Sequence, residues 1–407
     1  FFFFLPRMSN RDKVVFVIGS TGTGKSKLAV DISLGLSGVD RCGKPYPQNE
    51  ANDLEINDKF GGEVVSTDSM QIFIGNDISS ATVTEEEMQG VPHHMVSFVK
   101  PNETIEIEHF RRLCAEKINE IQERGHIPVI AGGTMLWVES LLFKSALTDK
   151  TTKARSKKPA STSRNNDDAP GGKIIPANLD KLSKKDLFGL LTSVDPLMAN
   201  RLHHNDQRKV KRALEVARDS GKLLSQTLLD QQQEAYSEAA YDTCIIWLYA
   251  KPHVLKTRLD TRVDSMVKQG LKEEVLALYR TLASSRKDTR EIISDTKGVA
   301  QSIGFKELGE YMAKAYESET ERKQIDSEHQ KELDELWKKG VERLKTATRK
   351  YAQRQVKWIR TRLKPYGTKD GGLFEFHQFD TSDVKTWNNK VRDPALRIVR
   401  AFLKKES

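Results

Sequence analysis

Val14-Val15-Phe16-Val17-Ile18-Gly19-Ser20-Thr21-Gly22-Thr23-Gly24-Lys25-Ser26 decides the fold. A β-branched apolar run ends in a turn that fits G-x-x-x-x-G-K-[ST], and residues 27–36 follow with helical spacing of Leu28, Ile32 and Leu36. The order is strand, phosphate loop, helix. Gly19, Gly22 and Gly24, with Ser20, Thr21 and Thr23 between them, let backbone N–H groups close around phosphate oxygens. Lys25 adds a point charge, and the Ser26 hydroxyl is a candidate ligand for Mg²⁺. Such a cradle predicts phosphate or diphosphate binding. Kinases, NTPases and transferases with a diphosphate leaving group can all use it.

Working outward, apolar runs at 63–67, 126–133 and 244–248 read as further strands, and 105–123 as an amphipathic helix. Strands alternating with helices predict an α/β fold with a parallel, P-loop NTPase-like sheet flanked by helices. Residues 37–60, rich in Gly, Asn, Asp and Pro, read as an irregular surface insertion. Residues 150–177, almost without large apolar side chains, read as a disordered linker. Helical periodicity over 182–222, broken at Pro196 and Gly221, precedes the strand at 244–248, so an all-helical segment is expected as an insertion in the α/β domain. Further helices are expected over 253–282, 319–358 and 385–403, the second of them long and charged. The expected division is 1–12 as an unassigned tail, 13–148 as the first part of the core and 149–180 as linker. After these come 181–242 as the helical insertion, 243–365 as the return of the core with basic helices, and 366–407 as a closing strand and helix.

The chain has 407 residues, 37% hydrophobic and 30% charged, and no run approaches the ~18 apolar residues of a membrane span. Lys and Arg exceed Asp and Glu by 66 to 57, a net charge of +9 that would serve a polyanionic partner if clustered. Cys42, Cys114 and Cys244 are odd in number and far apart, which predicts neither a disulfide framework nor a zinc site, and fits a reducing compartment. The opening Phe1-Phe2-Phe3-Phe4-Leu5-Pro6-Arg7 lacks the basic start and length of a secretory signal.

Thr67-Asp68-Ser69-Met70-Gln71 stands at the carboxyl end of the second expected strand, the ligand-binding edge of an open α/β sheet. Asp68 there can meet a substrate, hold Mg²⁺ through water, or cap a helix with Ser69. Arg208, Lys211 and Arg212 share one face of the 201–216 segment, with Val210, Ala213 and Leu214 on another. Lys345, Arg349, Lys350, Arg354, Lys357, Arg360, Arg362 and Lys364 form a second basic run without an acidic residue, interleaved with Tyr351 and Trp358. One such run is usually a solvated helix face. Two in one chain point to a surface that tracks a nucleic-acid backbone, with aromatic rings available to stack on bases. His93-His94 lacks a Cys partner for a tetrahedral metal site and reads as a loop that positions substrate or packs locally.

Taken together these blocks resemble the tRNA dimethylallyltransferase (tRNA isopentenyltransferase) family of the eukaryotic type. The resemblance rests on the phosphate loop, on Gly62-Glu63-Val64-Val65-Ser66-Thr67-Asp68-Ser69-Met70-Gln71, on Gly90-Val91-Pro92-His93-His94, and on the Gly-Gly-Thr ending at Thr134. Asn205-Asp206-Gln207-Arg208, Arg258 to Met266, Gln301 to Glu307 and Tyr351-Ala352-Gln353-Arg354-Gln355-Val356-Lys357-Trp358 continue it in the same order through residue 364. It implies transfer of a dimethylallyl group from dimethylallyl diphosphate to N6 of the adenosine at position 37, beside the anticodon of tRNA. By resemblance Asp68 takes the proton from the amine, and Thr21 and Arg262 meet the diphosphate end. Ser69, Met70 and Gln71 flank the flipped adenine, and Thr134 lies at the channel. Arg208, Lys209, Val210, Lys211 and Arg212, with Arg354, meet the anticodon stem-loop.

Many eukaryotic relatives carry a zinc finger near the C-terminus; after Cys244 this sequence has no cysteine, so no zinc is expected. A monomer without a membrane partner, cytoplasmic or mitochondrial with a possible nuclear pool, completes the expectation. Within the same fold, an adenylate isopentenyltransferase that prenylates free nucleotides competes. That group typically has Asp-Lys-x-Gln where this chain has Asp68-Ser69-Met70-Gln71, and it would leave the basic helices idle. A P-loop small-molecule kinase and an RNA-binding scaffold with a vestigial loop are rivals of other classes.

Overall fold

The computed structural model describes residues 13–39, 41, 61–144, 175–176, 178–227, 236–284, 291–294, 297–321, 326–368 and 372–405. The expected tail, almost all of the 37–60 insertion and the 150–177 linker except Ile175 and Pro176 lie outside them. Contacts divide the chain into two units, residues 1–142 with 239–407, and Phe143–Glu238.

Among the described residues the larger unit has seven strands: β1 (Lys13–Gly19), β2 (Gly62–Ser66), β3 (His93–His94), β4 (Ile127–Gly132), β5 (Asp242–Tyr249), β6 (Gly367–Thr368) and β7 (Phe374–Asp380). All pairings are parallel, in the order β3-β2-β4-β1-β5-β7-β6. Every residue of β1, β2 and β4 is buried, as expected of parallel strands covered on both faces. Their near-continuous apolar character follows from that double coverage. On one face the Lys25–Leu36 helix packs against the Asp393–Lys404 helix, where Arg400 donates to the Gly35 carbonyl at 2.8 Å. Lys13, 1% exposed at the start of β1, sends Nζ to the Phe402 carbonyl at 2.9 Å and so ties the end of that helix to the middle of the sheet.

Three expected helices have other bounds in the structure, that of 385–403 being α-helix only over Asp393–Lys404, after short turns at Val384–Thr386 and Asn388–Arg392. The expected 253–282 helix is two helices, Pro252–Lys268 and Leu271–Ser284, because Gly270 takes φ +103°, a conformation in which a helix cannot continue. The expected 319–358 helix starts later: a separate helix, Gly309–Thr320, reaches only its first two residues, and Ser327–Trp358 starts under an Asp326 cap that accepts from the N–H groups of Glu328 and His329 at 3.1 and 2.8 Å. Periodicity carried the apolar stripe across both breaks; local backbone chemistry set the ends.

The smaller unit, taken alone, is helical: Lys184–Val194, Pro196–Ala199 and Gln207–Ser220 enclose Leu187, Leu191, Met198, Val210 and Leu214. Asp195 joins its pieces, accepting from Met198 N–H at 3.1 Å and Ser225 N–H at 2.9 Å.

Candidate active site and its relatives

The loop after β1, the turn after β2 and the turn after β4 emerge side by side at the carboxyl edge, because β4 sits between β1 and β2. A ligand crevice belongs there in an open parallel sheet. A cavity of about 880 Å³ occupies the place, lined by Thr21, Gly22, Gly24, Lys25 and Ser26. Of the remaining loop residues, Ser20 and Thr23 are buried, with Thr23 Oγ1 donating to the Ser20 carbonyl at 2.8 Å, and Gly19 packs against Leu248. They brace the cradle rather than face the cavity. The helix beginning at Lys25 has no side-chain cap and no acidic residue in its first turn, so its leading N–H groups and positive dipole end face that space. Gly24 itself takes φ +89°, and a Cβ there would sit 2.8 Å from the ring of Trp387. That indole donates Nε1–H to Asp31 at 2.9 Å and lies under Lys27, clamping the start of the helix from outside.

Asp68, Ser69, Met70 and Gln71 line the same cavity, as do Arg262 and Arg354. Asp68 Oδ1 accepts from Met70 N–H at 3.0 Å, which fixes the carboxylate at the head of its turn. Thr134, outside the lining, accepts from Ser69 N–H at 3.0 Å and donates to Ser69 Oγ at 3.1 Å, so it holds the Asp68 turn in place. Burial pulls Lys25 down to about 8; Asp68 opposes the fall and Arg262 adds to it. Burial likewise lowers Arg262, again against the pull of Asp68. Asp68 faces both desolvated cations and Glu87, also in the lining, acts on Arg262; the burial of the two cations favours a further negative charge between them.

The basic run after Leu344 is less free than its composition implied. Lys345 pairs with Asp264 at 2.8 Å and Glu342 at 3.2 Å, Arg349 with Asp260, and Arg362 with Glu139 at 3.5 Å. Trp358 donates Nε1–H to Glu139 at 2.7 Å, and Tyr351 donates to the Gly133 carbonyl at 3.3 Å. Trp358 is thereby tied to the Met135–Leu142 helix with Arg362 over its ring at 4.6 Å, so it is less free to stack on a base than its spacing implied, whereas Tyr351 stands in the cavity lining. Lys350 and Arg354 line an open groove of mixed charge, its other cations Lys306, Lys338, Lys339 and Arg343 standing among Glu307, Glu335 and Glu342. Arg354 borders both groove and cavity.

In the smaller unit Arg208, Lys209 and Arg212 are exposed, Lys209 pairing with Asp206 at 2.7 Å and Arg212 with Glu215 at 3.9 Å, while half-buried Lys211 pairs with Asp180 and, at 3.9 Å, with Glu215. Val210 is 1% exposed in that unit's core, so it supports the basic face from within instead of meeting RNA. His94 and His126 both hydrogen-bond Glu63, at 2.6 and 2.7 Å, and Arg124 grips the same carboxylate through two nitrogens. His93-His94 thus packs locally as β3. Cys244, Glu375 and His377 bring ligand-type atoms within 4.8 Å of one another near the amino ends of β5 and β7, yet Lys405 already holds Glu375 at 2.6 Å and burial raises the Cys244 thiol. Sequence reasoning assigned no role to Gln355 or Trp387; they reach the phosphate loop from the last fifth of the chain, a juxtaposition no spacing rule records.

Residues 71–362 match the family model described as IPP transferase. Tetheredness to that family extends along the chain: it is 33% identical to the tRNA dimethylallyltransferase of Mus musculus over 400 residues, 96% of this chain and 74% of the relative. It is 34% identical to the Homo sapiens protein of the same name over 96% of this chain and 74% of that one. Among solved structures, a eukaryotic dimethylallyltransferase acting on tRNA is similar with a TM-score of 0.65 and 28% identity, over 97% of this chain and 80% of that one. The tRNA isopentenylpyrophosphate transferase of Bacillus halodurans, at 24% identity and TM-score 0.51 over 97% and 98%, shares the fold. With these matches spanning both the cradle and the long helix, the chain belongs to the IPP transferase family, that of the tRNA dimethylallyltransferases.

Proposed function

We propose that this chain, a tRNA-modifying transferase by family, moves a dimethylallyl group from dimethylallyl diphosphate to N6 of an adenosine beside the tRNA anticodon. The observation that supports it is the single cavity in which the phosphate loop, Asp68 and Arg262 meet. In the reaction the allylic C–O bond breaks, an N6–C bond forms, and diphosphate departs with the electron pair. Negative charge grows on the leaving oxygens, where Lys25, the loop amides and Arg262 stabilise it. Asp68 accepts the N6 proton as the amine attacks. The adenine must leave its stack to reach the cavity, at a cost of about a few kcal/mol, offset by contacts to the loop around it. Arg354 and Lys350 on the groove, and Arg208, Lys209 and Arg212 on the helical unit, are the proposed phosphate contacts.

Ser26 fits Mg²⁺: its exposed side chain lines the cavity beside the loop proposed to hold the diphosphate, and that ion takes few protein oxygens when substrate phosphates supply the rest. Bound there it would offset charge on the leaving diphosphate.

The test is incubation of labelled donor with unmodified tRNA, or with AMP, and wild-type or Asp68→Ala protein. Labelled tRNA, unlabelled AMP and a rate about 10²-fold lower for the variant at unchanged tRNA affinity are expected. Labelled AMP with unlabelled tRNA would turn the assignment toward a free-nucleotide prenyltransferase.

A further inference from the structure

The two loops that would carry donor and acceptor meet through one side chain from a distant helix. Gln355, 3% exposed within the Ser327–Trp358 helix, accepts the Thr21 N–H on Oε1 at 2.9 Å and donates Nε2–H to the Gly133 carbonyl at 2.7 Å. Both ends of its carboxamide are committed to backbone. One end holds the phosphate loop after β1, and the other holds the turn after β4. From Gly133 the chain passes directly to Thr134, whose hydroxyl holds Ser69 beside Asp68. Tyr351, one helical turn before Gln355, anchors the same Gly133 carbonyl at 3.3 Å.

We propose that Gln355 is a positioning residue that splints the phosphate loop to the Gly133 turn and so sets the spacing between diphosphate and proton acceptor. The catalytic side of this inference rests on the proposed function; the splint itself rests on the hydrogen bonds. A primary amide suits the place because it offers a donor and an acceptor in one plane to two opposed backbone groups without needing a particular protonation state. An apolar side chain of similar size would fill the volume and leave both the Thr21 N–H and a Gly133 lone pair without their partner, and burial makes that costly. The site is also shaped for the amide: a Cβ on Gly133 would lie 2.5 Å from Gln355 Nε2.

Isothermal titration with inorganic diphosphate and Mg²⁺, and in parallel with unmodified tRNA, tests the splint without requiring turnover. Gln355→Met, which keeps the volume, is expected to weaken diphosphate about tenfold and to leave tRNA affinity within about twofold. Gly133→Ala, which evicts the amide from the other side, is expected to act in the same direction, and guards against a single variant that fails to fold. The double variant is expected to bind diphosphate no more weakly than Gln355→Met, since both changes break one linkage. Unchanged diphosphate affinity in both folded variants, or equal losses for diphosphate and tRNA, would make Gln355 an ordinary buried polar residue. A wild type that binds diphosphate here but prenylates no tRNA would overturn the function and leave the splint standing.

Discussion

Lys25 is the residue at which the site's electrostatics can be read from outside. Its ammonium, pulled from 10.5 to about 8 by burial, is partly deprotonated in mildly alkaline solution. An incoming diphosphate favours the charged form, so binding near pH 8 takes up a proton, and affinity falls as pH rises through about 8. Titrations in buffers of different ionisation enthalpy check this; a heat independent of buffer at pH 8 would contradict it. Trp387 offers a second residue-scale test. Trp387→Ala removes a buried indole from over Gly24 and leaves Asp31 Oδ2 without its donor, and about 3–5 kcal/mol of stability is expected to go with it, read from the shift of the urea midpoint. The phosphate loop was legible because its glycines and lysine are contiguous. Trp387 and Gln355 were not, because nothing local marks a side chain whose partner is more than three hundred residues away.

At the scale of elements, Glu63 on β2 gathers the turn before β4, the end of the preceding helix and β3 onto one carboxylate. Burial alone would raise that carboxyl, but hydrogen bonds from Arg124, His94 and His126 outweigh it and hold it near 2 against an ordinary 4.5. A depressed acid contributes stability that is complete above about pH 4.5 and is lost as pH falls from there toward 2. Glu63→Gln is expected to melt lower at pH 7 and to show a flatter Tm profile across that acid window; parallel profiles would remove Glu63 from the account. The strands β1, β4 and β5 came straight from the sequence, since they are continuous apolar runs, whereas His93-His94, read as a loop, is the short strand β3 paired with β2. Helix ends did not, because Gly270 and Asp326 act through backbone angle and capping, which an apolar stripe crosses unnoticed.

For the whole molecule, the break between units gives a clean experiment. Leu142 and Ala240 are joined by a hydrogen bond from the Ala240 N–H at 2.8 Å, so the chain leaves and re-enters the larger unit at almost one point. Replacing residues 143–238 by a short turn is expected to leave a folded protein that binds diphosphate like the full chain and binds tRNA more weakly. In the full chain, Arg208→Ala and Arg354→Ala are each expected to flatten the slope of log K against log salt by a little under one unit. An unaltered slope would return either arginine to a solvated surface.

β7 and the Asp393–Lys404 helix, together with Trp387 and the carbonyls that hold Lys13, all come from the final tenth of the sequence, whereas the cradle they brace comes from its beginning. On the ribosome the phosphate loop is therefore translated long before its supports exist. A nascent chain should gain affinity for diphosphate only once residues 374–404 have been made, and frameshifts that spare every reacting residue but alter that stretch should still yield an inactive product.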